Sequence, residues 1–168
     1  TAKVAEILEM KVLLNDPPRA RLEKTTHFVS FKEIVALSDF ICFHVPLNKD
    51  GIDQTYHMVD MSFIEKVSSK VFLLNACRGE VIDNQVLKAA LIQNKIQGAV
   101  LDVWENEPTI DTELMDLCKI ATPHIAGYSA DGKANGTENS IRAVSQFFGL
   151  VLNEWKCPNI PVPHALEI

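Results

Sequence analysis

Polar and apolar positions along the chain fall into two kinds of run. Four short runs are β-branched or aliphatic and end in turn chemistry: Asp39 to Val45 before Pro46, Val71 to Cys77, Ala99 to Val103, and Ile120-Ala121 before Thr122-Pro123. Such runs predict buried parallel strands. Between them, apolar residues recur at helical spacing. Val4, Ala5, Ile7 and Leu8 mark a helix over Ala2 to Glu9, and Phe31 to Leu37 and Asp60 to Val67 mark two more. Asp83 is placed to cap a helix carrying Val86, Leu87, Ala90 and Leu91. A further helix is expected over about Asp111 to Leu117, and a long amphipathic one through Ile141, Val144, Phe147, Phe148, Val151 and Leu152. Lys11 to Asn15, closed by Asp16-Pro17-Pro18, reads as an earlier strand, with a weaker one near His27 to Ser30. Strands alternating with helices predict an α/β fold, a doubly wound parallel sheet. It is expected to occupy residues 1–153. Residues 154–168, with Pro158, Pro161 and Pro163, read as a linker or strap.

Composition narrows the function classes. The chain of 168 residues carries a net charge of -6, which gives no electrostatic footprint for nucleic acid or an anionic membrane. No apolar stretch approaches the ~18 to 20 residues that a membrane span needs, and no leader pattern opens the sequence. The four cysteines, Cys42, Cys77, Cys118 and Cys157, form no C-x-x-C pair. They are expected to be reduced and to pack as small hydrophobes in a cytoplasmic protein. His27, His44, His57 and His164 lack metal-ligand spacing and read as surface, core or turn residues, so no metal site is expected. The chain contains no G-x-S-x-G, H-E-x-x-H or P-loop.

Candidate chemistry lies just past the strands. Arg78, Glu107 and His124 each follow an apolar run, and ligands of open parallel sheets sit outside the carboxyl ends of the strands. A guanidinium there can hold a carboxylate with two parallel bonds, and a carboxylate–imidazole pair can move a proton. Asp102, inside an otherwise apolar strand, is costly unless partnered. Gly79 is expected to let the Asn75–Gly79 turn take up a positive φ.

The runs Asn75-Ala76-Cys77-Arg78-Gly79, Gly98 to Pro108 and Thr122 to Gly127 resemble the D-isomer-specific 2-hydroxyacid dehydrogenase family. Gly127 to Thr137, with Asn15 to Arg19 and Gln54 to His57, is similar to the branch of that family in the vitamin B6 pathway, whose substrate is a phosphorylated 2-hydroxy acid. The resemblance implies a Rossmann-type NAD-binding domain. In it Arg78 binds the substrate carboxylate and C2 oxygen, His124 is the general acid/base, and Glu107 pairs with the imidazole. It implies that Val45, Ala76, Cys77, Arg78 and Gly127 line the cofactor, that Asp102 holds the nicotinamide carboxamide, and that Tyr128 nears the substrate. Asp16 would accept bonds from the adenosine ribose and favour NAD over NADP. A strand-end turn residue is the other reading of Asp16, and nearby Arg19 leaves NADP open. For Tyr128 the other reading is a packing aromatic. The resemblance also implies a homodimeric parent enzyme. It leaves open a phosphoglycerate, glycerate or lactate dehydrogenase, or a non-catalytic NAD-sensing relative.

A dinucleotide fold opens with a strand, a glycine-rich turn and a helix. The sequence begins at the helix, so the fold is expected to be incomplete at its N-terminal strand and glycine-rich turn, and this chain alone to be inactive.

Overall fold

The computed structural model describes residues 1–158 and 160; Pro161, Pro163 and His164, with most of the expected linker, lie outside the described residues. The chain divides into two compact units, Thr1–Pro123 and His124–Ile168.

In the first unit three helices precede the sheet: α1 (Ala2–Ile7), α2 (Pro17–Glu23) and α3 (Phe31–Leu37). The Asp16-Pro17-Pro18 run is a helix start as well as a stop. Asp16 accepts the Arg19 N–H at 3.0 Å, and the prolines take the first helical positions, where no N–H is needed. Ser30 and Glu33 form a reciprocal capping box on α3. The two early strands do not form. Residues 11–15 and 27–30 meet through Val29 N–H to Leu14 C=O and Asn15 Nδ2 to Val29 C=O, which is short of a ladder.

Four parallel strands then pair in chain order: β1 (Phe40–Phe43), β2 (Phe72–Asn75), β3 (Gly98–Leu101) and β4 (Ile120–Ala121). Parallel neighbours need crossovers. These are supplied by α4 (Met61–Ile64), α5 (Asn84–Ile92) and α6 (Thr112–Leu117), capped by Asp60, Asp83 and Asp111. Leu73, Leu87, Leu101 and Leu114 are fully buried between sheet and helices. Each such side chain is worth about 1.5–3 kcal/mol of burial. Burial also pushes the Cys118 thiol up to about 11, as expected of a cysteine that packs rather than reacts.

At the amino ends of the strands, Phe40 stacks on Phe72 with centroids 5.2 Å apart. Gly98 stands beside Phe72 in register; a Cβ there would lie 2.9 Å from the Phe72 ring and 2.8 Å from the Lys119 stem.

The second unit is built on α7 (Ala130–Phe148), capped by Ser129 and ended by Gly149 at φ 65°. It starts earlier than its apolar periodicity suggests. The buried Glu138 carboxylate ties the following segment back to α7 by accepting the Cys157 N–H (3.0 Å) and Lys156 Nζ (3.2 Å), while Arg142 Nη2, one turn along α7, donates to it at 2.9 Å. Phe147, Phe148 and Val151 are exposed.

Candidate active site

The β2 end is shaped by Asn75, which is 2 % exposed. Its Oδ1 accepts the Cys77 N–H at 3.1 Å and its Nδ2 donates to the Arg78 C=O at 2.9 Å. The turn thus presents Ala76 and Arg78 at the surface, with Cys77 half-buried and Arg78 Nη1 donating to the Cys77 C=O at 2.6 Å. Gly79 does not have the positive φ expected of it. What excludes a side chain is close approach: a Cβ would sit 2.0 Å from the Trp104 carbonyl oxygen and 2.7 Å from the Glu105 nitrogen. That contact seats the Arg78 turn directly on the loop that follows β3.

The β3 loop is closed by its own groups. The Trp104 N–H donates to Glu107 Oε1 at 2.8 Å, and Asn106 takes the left-handed φ of 60° that the turn requires. Buried Asp102 has the partner that its place in an apolar strand demands. Thr122 Oγ1 donates to its Oδ1 at 2.5 Å, and its own N–H donates to the Asn75 C=O at 2.9 Å. Trp104 Nε1 donates to the Thr122 C=O at 3.0 Å. Asn75, Trp104 and Thr122 therefore lock together the ends of β2, β3 and β4, a role that sequence spacing does not reveal. Val45 follows β1 at the same edge, half-buried against the core. Beside it the Pro46 C=O accepts Thr55 Oγ1.

Ala76, Cys77, Arg78, Asp102 and Glu107 are thus gathered at the carboxyl edge of the first unit. His124, Gly127 and Tyr128 belong to the second. His124 follows Pro123 directly and is left-handed at φ 54°, and Gly127 has φ 76°. Tyr128 donates its N–H to the Ile125 C=O at 2.8 Å. Its ring is 69 % exposed rather than packed, and Lys133 Nζ lies 3.6 Å from the centroid. Lys133, one turn into α7, lies within the Gly127 to Thr137 run, but sequence pattern alone assigns it no role.

Asp16 lines a separate cleft of about 350 Å³ with Asn15, Pro17, Ala20, Arg21, Phe28 and Val29. The Asp16 carboxylate at its edge suits a nucleoside carrying free ribose hydroxyls, and the Arg21 guanidinium that also lines it is paired with Asp53. Arg19 does not offer an open cation here: its Nε donates to Glu23 at 2.7 Å and its guanidinium lies 5.1 Å from the Phe28 centroid.

Residues 1–126 match the family model described as D-isomer specific 2-hydroxyacid dehydrogenase, NAD binding domain. The chain is 48 % identical over 147 residues to an erythronate-4-phosphate dehydrogenase of Bacteroides fragilis, covering 88 % of this chain and 42 % of that protein. It is 48 % identical over 166 residues to the protein of the same name in Bacteroides thetaiotaomicron, covering 99 % and 48 %. Among solved structures, a D-lactate dehydrogenase from Aquifex aeolicus complexed with NAD and lactic acid aligns at a TM-score of 0.67. It shares 30 % identity over 88 % of this chain and 49 % of its own. The chain spans less than half the length of the curated relatives it matches.

Proposed function

The chain belongs to the D-isomer specific 2-hydroxyacid dehydrogenase family, whose NAD-binding domain it represents, and from that premise we propose that it serves NAD-dependent oxidation of 4-phospho-D-erythronate at C2 to the 2-oxo acid, a step in pyridoxal phosphate biosynthesis. The observation that carries this reading is the seating of Gly79 on Trp104, which brings the Arg78 turn and the Glu107 loop to one sheet edge.

In this reading Asp16 would hold the adenosine ribose, and Asp102 with the backbone of Val45, Ala76, Cys77 and Gly127 would hold the nicotinamide end. NAD, when bound, supplies the hydride acceptor. The Arg78 guanidinium fixes the substrate carboxylate and C2 oxygen by paired bonds, and never loses its charge. His124 takes the proton of the C2 hydroxyl. Glu107 orients that imidazole and stabilises its protonated form. Tyr128 with Lys133 offers a hydroxyl and a cation suited to a substrate phosphate, which supports a phosphorylated acid over lactate. The proposed setting is the cytoplasm, in keeping with four free cysteines, and the proposed assembly is a homodimer, in keeping with the exposed apolar residues of α7.

NADH formation by the complete gene product, with 4-phospho-D-erythronate, phosphoglycerate, glycerate and D-lactate as alternative substrates, tests the reading. The expected outcome is a clear kcat/KM preference for 4-phospho-D-erythronate. Preference for another acid overturns the substrate, and no turnover of any of them overturns the activity.

A further inference from the structure

The first unit holds an imidazole–carboxylate cluster of its own, to which the chemistry above gives no part. His57 Nε2 lies 2.6 Å from Glu105 Oε1, and Asp83 Oδ2 lies 3.6 Å from its Nδ1. His57 is fixed from three further sides. Its backbone is left-handed at φ 49°, its N–H donates to the Glu80 C=O at 2.8 Å, and its ring stacks on Tyr56 with centroids 4.0 Å apart. The other Glu105 oxygen accepts the Asn84 N–H at 2.9 Å. Asn84 opens α5, where unpaired N–H groups and the helix dipole both favour a carboxylate. One side chain thus ties the β3 loop to segments 48 and 21 residues away.

Two residues beyond Glu105 stands Glu107, and between them the loop has only Asn106. The Trp104 peptide is held on one side by Glu107 and crowded on the other by Gly79. Trp104 itself is buried and tied to the Thr122 C=O, so without the Glu105 anchor it is the 105–107 segment that could pivot about Trp104, taking the Glu107 carboxylate with it. The geometry points to Glu105 as a positioning residue, with His57 as its partner, that holds Glu107 at a fixed spacing from the Arg78 turn. The inference rests on the role given to Glu107 under the proposed function. Both Glu105 oxygens are engaged by His57 and Asn84, so it takes no proton from substrate.

Glutamine can replace this anchor and alanine cannot. In Glu105→Gln the side-chain carbonyl can accept the Asn84 N–H while the amide donates to His57 Nε2, leaving Nδ1–H toward Asp83. In the complete gene product, Glu105→Ala is expected to lower kcat on the order of 10²-fold, the size of effect that a misplacement of about 1 Å can have. KM for NAD should stay near wild type, and Glu105→Gln should recover most of the loss. His57→Ala should lower kcat in the same way, and the double variant E105A/H57A should be no worse than the poorer single, because the two residues form one anchor. Hydrogen–deuterium exchange of the 104–107 segment should speed up in E105A and stay slow in E105Q. Unchanged kcat per folded molecule in E105A, or E105Q as impaired as E105A, overturns the inference. If E105A does not fold, H57A decides: wild-type kcat there overturns it equally. If the wild type oxidises no 2-hydroxy acid, the functional reading falls, and the exchange pattern alone still decides whether Glu105 holds the loop.

Discussion

Replacing Gly79 with alanine places one methyl group between two loops that have no room for it. The added carbon would lie 2.0 Å from the Trp104 carbonyl oxygen, 2.1 Å from its carbon and 2.7 Å from the Glu105 nitrogen. All three are backbone atoms, so no side chain can rotate aside. Relief requires the Arg78 turn and the Glu107 loop to separate by more than about 1 Å, given the usual distance of carbon contacts. Overpacking of this kind costs about 1–3 kcal/mol. For a chain of this size that corresponds to a fall in Tm of about 2–4 °C for each kcal/mol. The same displacement moves the Arg78 guanidinium away from the Glu107 carboxylate, the pair to which the proposed function assigns the substrate. A loss in kcat on the order of 10²-fold, about 2.7 kcal/mol in the barrier, is the expected scale. Thermal unfolding by circular dichroism and NADH formation by the complete gene product read the two effects separately. Gly136→Ala is the control, since a Cβ at Gly136 meets nothing within 4 Å and its position is helical. That change should be neutral or stabilising by about 0.5–1 kcal/mol. A Gly79→Ala protein with wild-type Tm and kcat would show that the two loops are not held together as described.

Three further outcomes follow from the same geometry. Arg78→Lys keeps the charge but loses the fork, so kcat/KM for the hydroxy acid should fall with NAD affinity retained; equal losses for both ligands would move Arg78 to cofactor binding or folding. His124→Ala should cost about 10²- to 10⁴-fold in kcat while sparing NAD affinity, and an undiminished kcat would remove it from proton transfer. Glu138 is held below the usual carboxylate range, first by the Cys157 N–H and then by Lys156 and Arg142. Its stabilising contribution is therefore present above the ordinary glutamate pKa and lost as pH falls through the depressed value in the folded state. Glu138→Gln should lower Tm at neutral pH and flatten its fall on acidification; a Tm profile like that of the wild type would leave Glu138 no part in holding the segment after α7.

The sheet was legible because its strands are nearly continuous in apolar residues, as in Phe40 to Phe43 and Phe72 to Leu74, although only one face of β1 is buried, with Phe40 and Cys42 exposed on the other. Lys11 to Asn15 carries the same signature, yet pattern reports burial and not the presence of a ladder partner. Helix α2 was hidden by its own prolines, which signal a turn until Asp16 is seen to cap them. Helix α7 was hidden in part by Gly132 and Gly136, poor helix formers lying within its first two turns. Arg78, Glu107 and Asp102 were legible as polar residues at strand ends. The contacts that aim them were not, because they join residues remote in sequence: Trp104 to Thr122, Gly79 to Trp104 and His57 to Glu105. A glycine in a turn invites a conformational explanation; only the neighbouring backbone shows that Gly79 is required for its size.

The sheet carries a crowded glycine at each of its ends, and they differ in what they report. Gly98, at the amino ends, makes room for the Phe72 ring and the Lys119 stem, far along the strands from Arg78 and Glu107. Gly79 is wedged between the Arg78 turn and the loop that carries Glu107. Damage at Gly98 therefore has one channel, the population of folded molecules, whereas damage at Gly79 has two. Paired variants at these positions turn the molecule into its own calibration standard. The slope of activity against folded fraction, measured with Gly98 substitutions, sets a baseline, and the vertical distance of a Gly79 variant below that line measures misalignment alone.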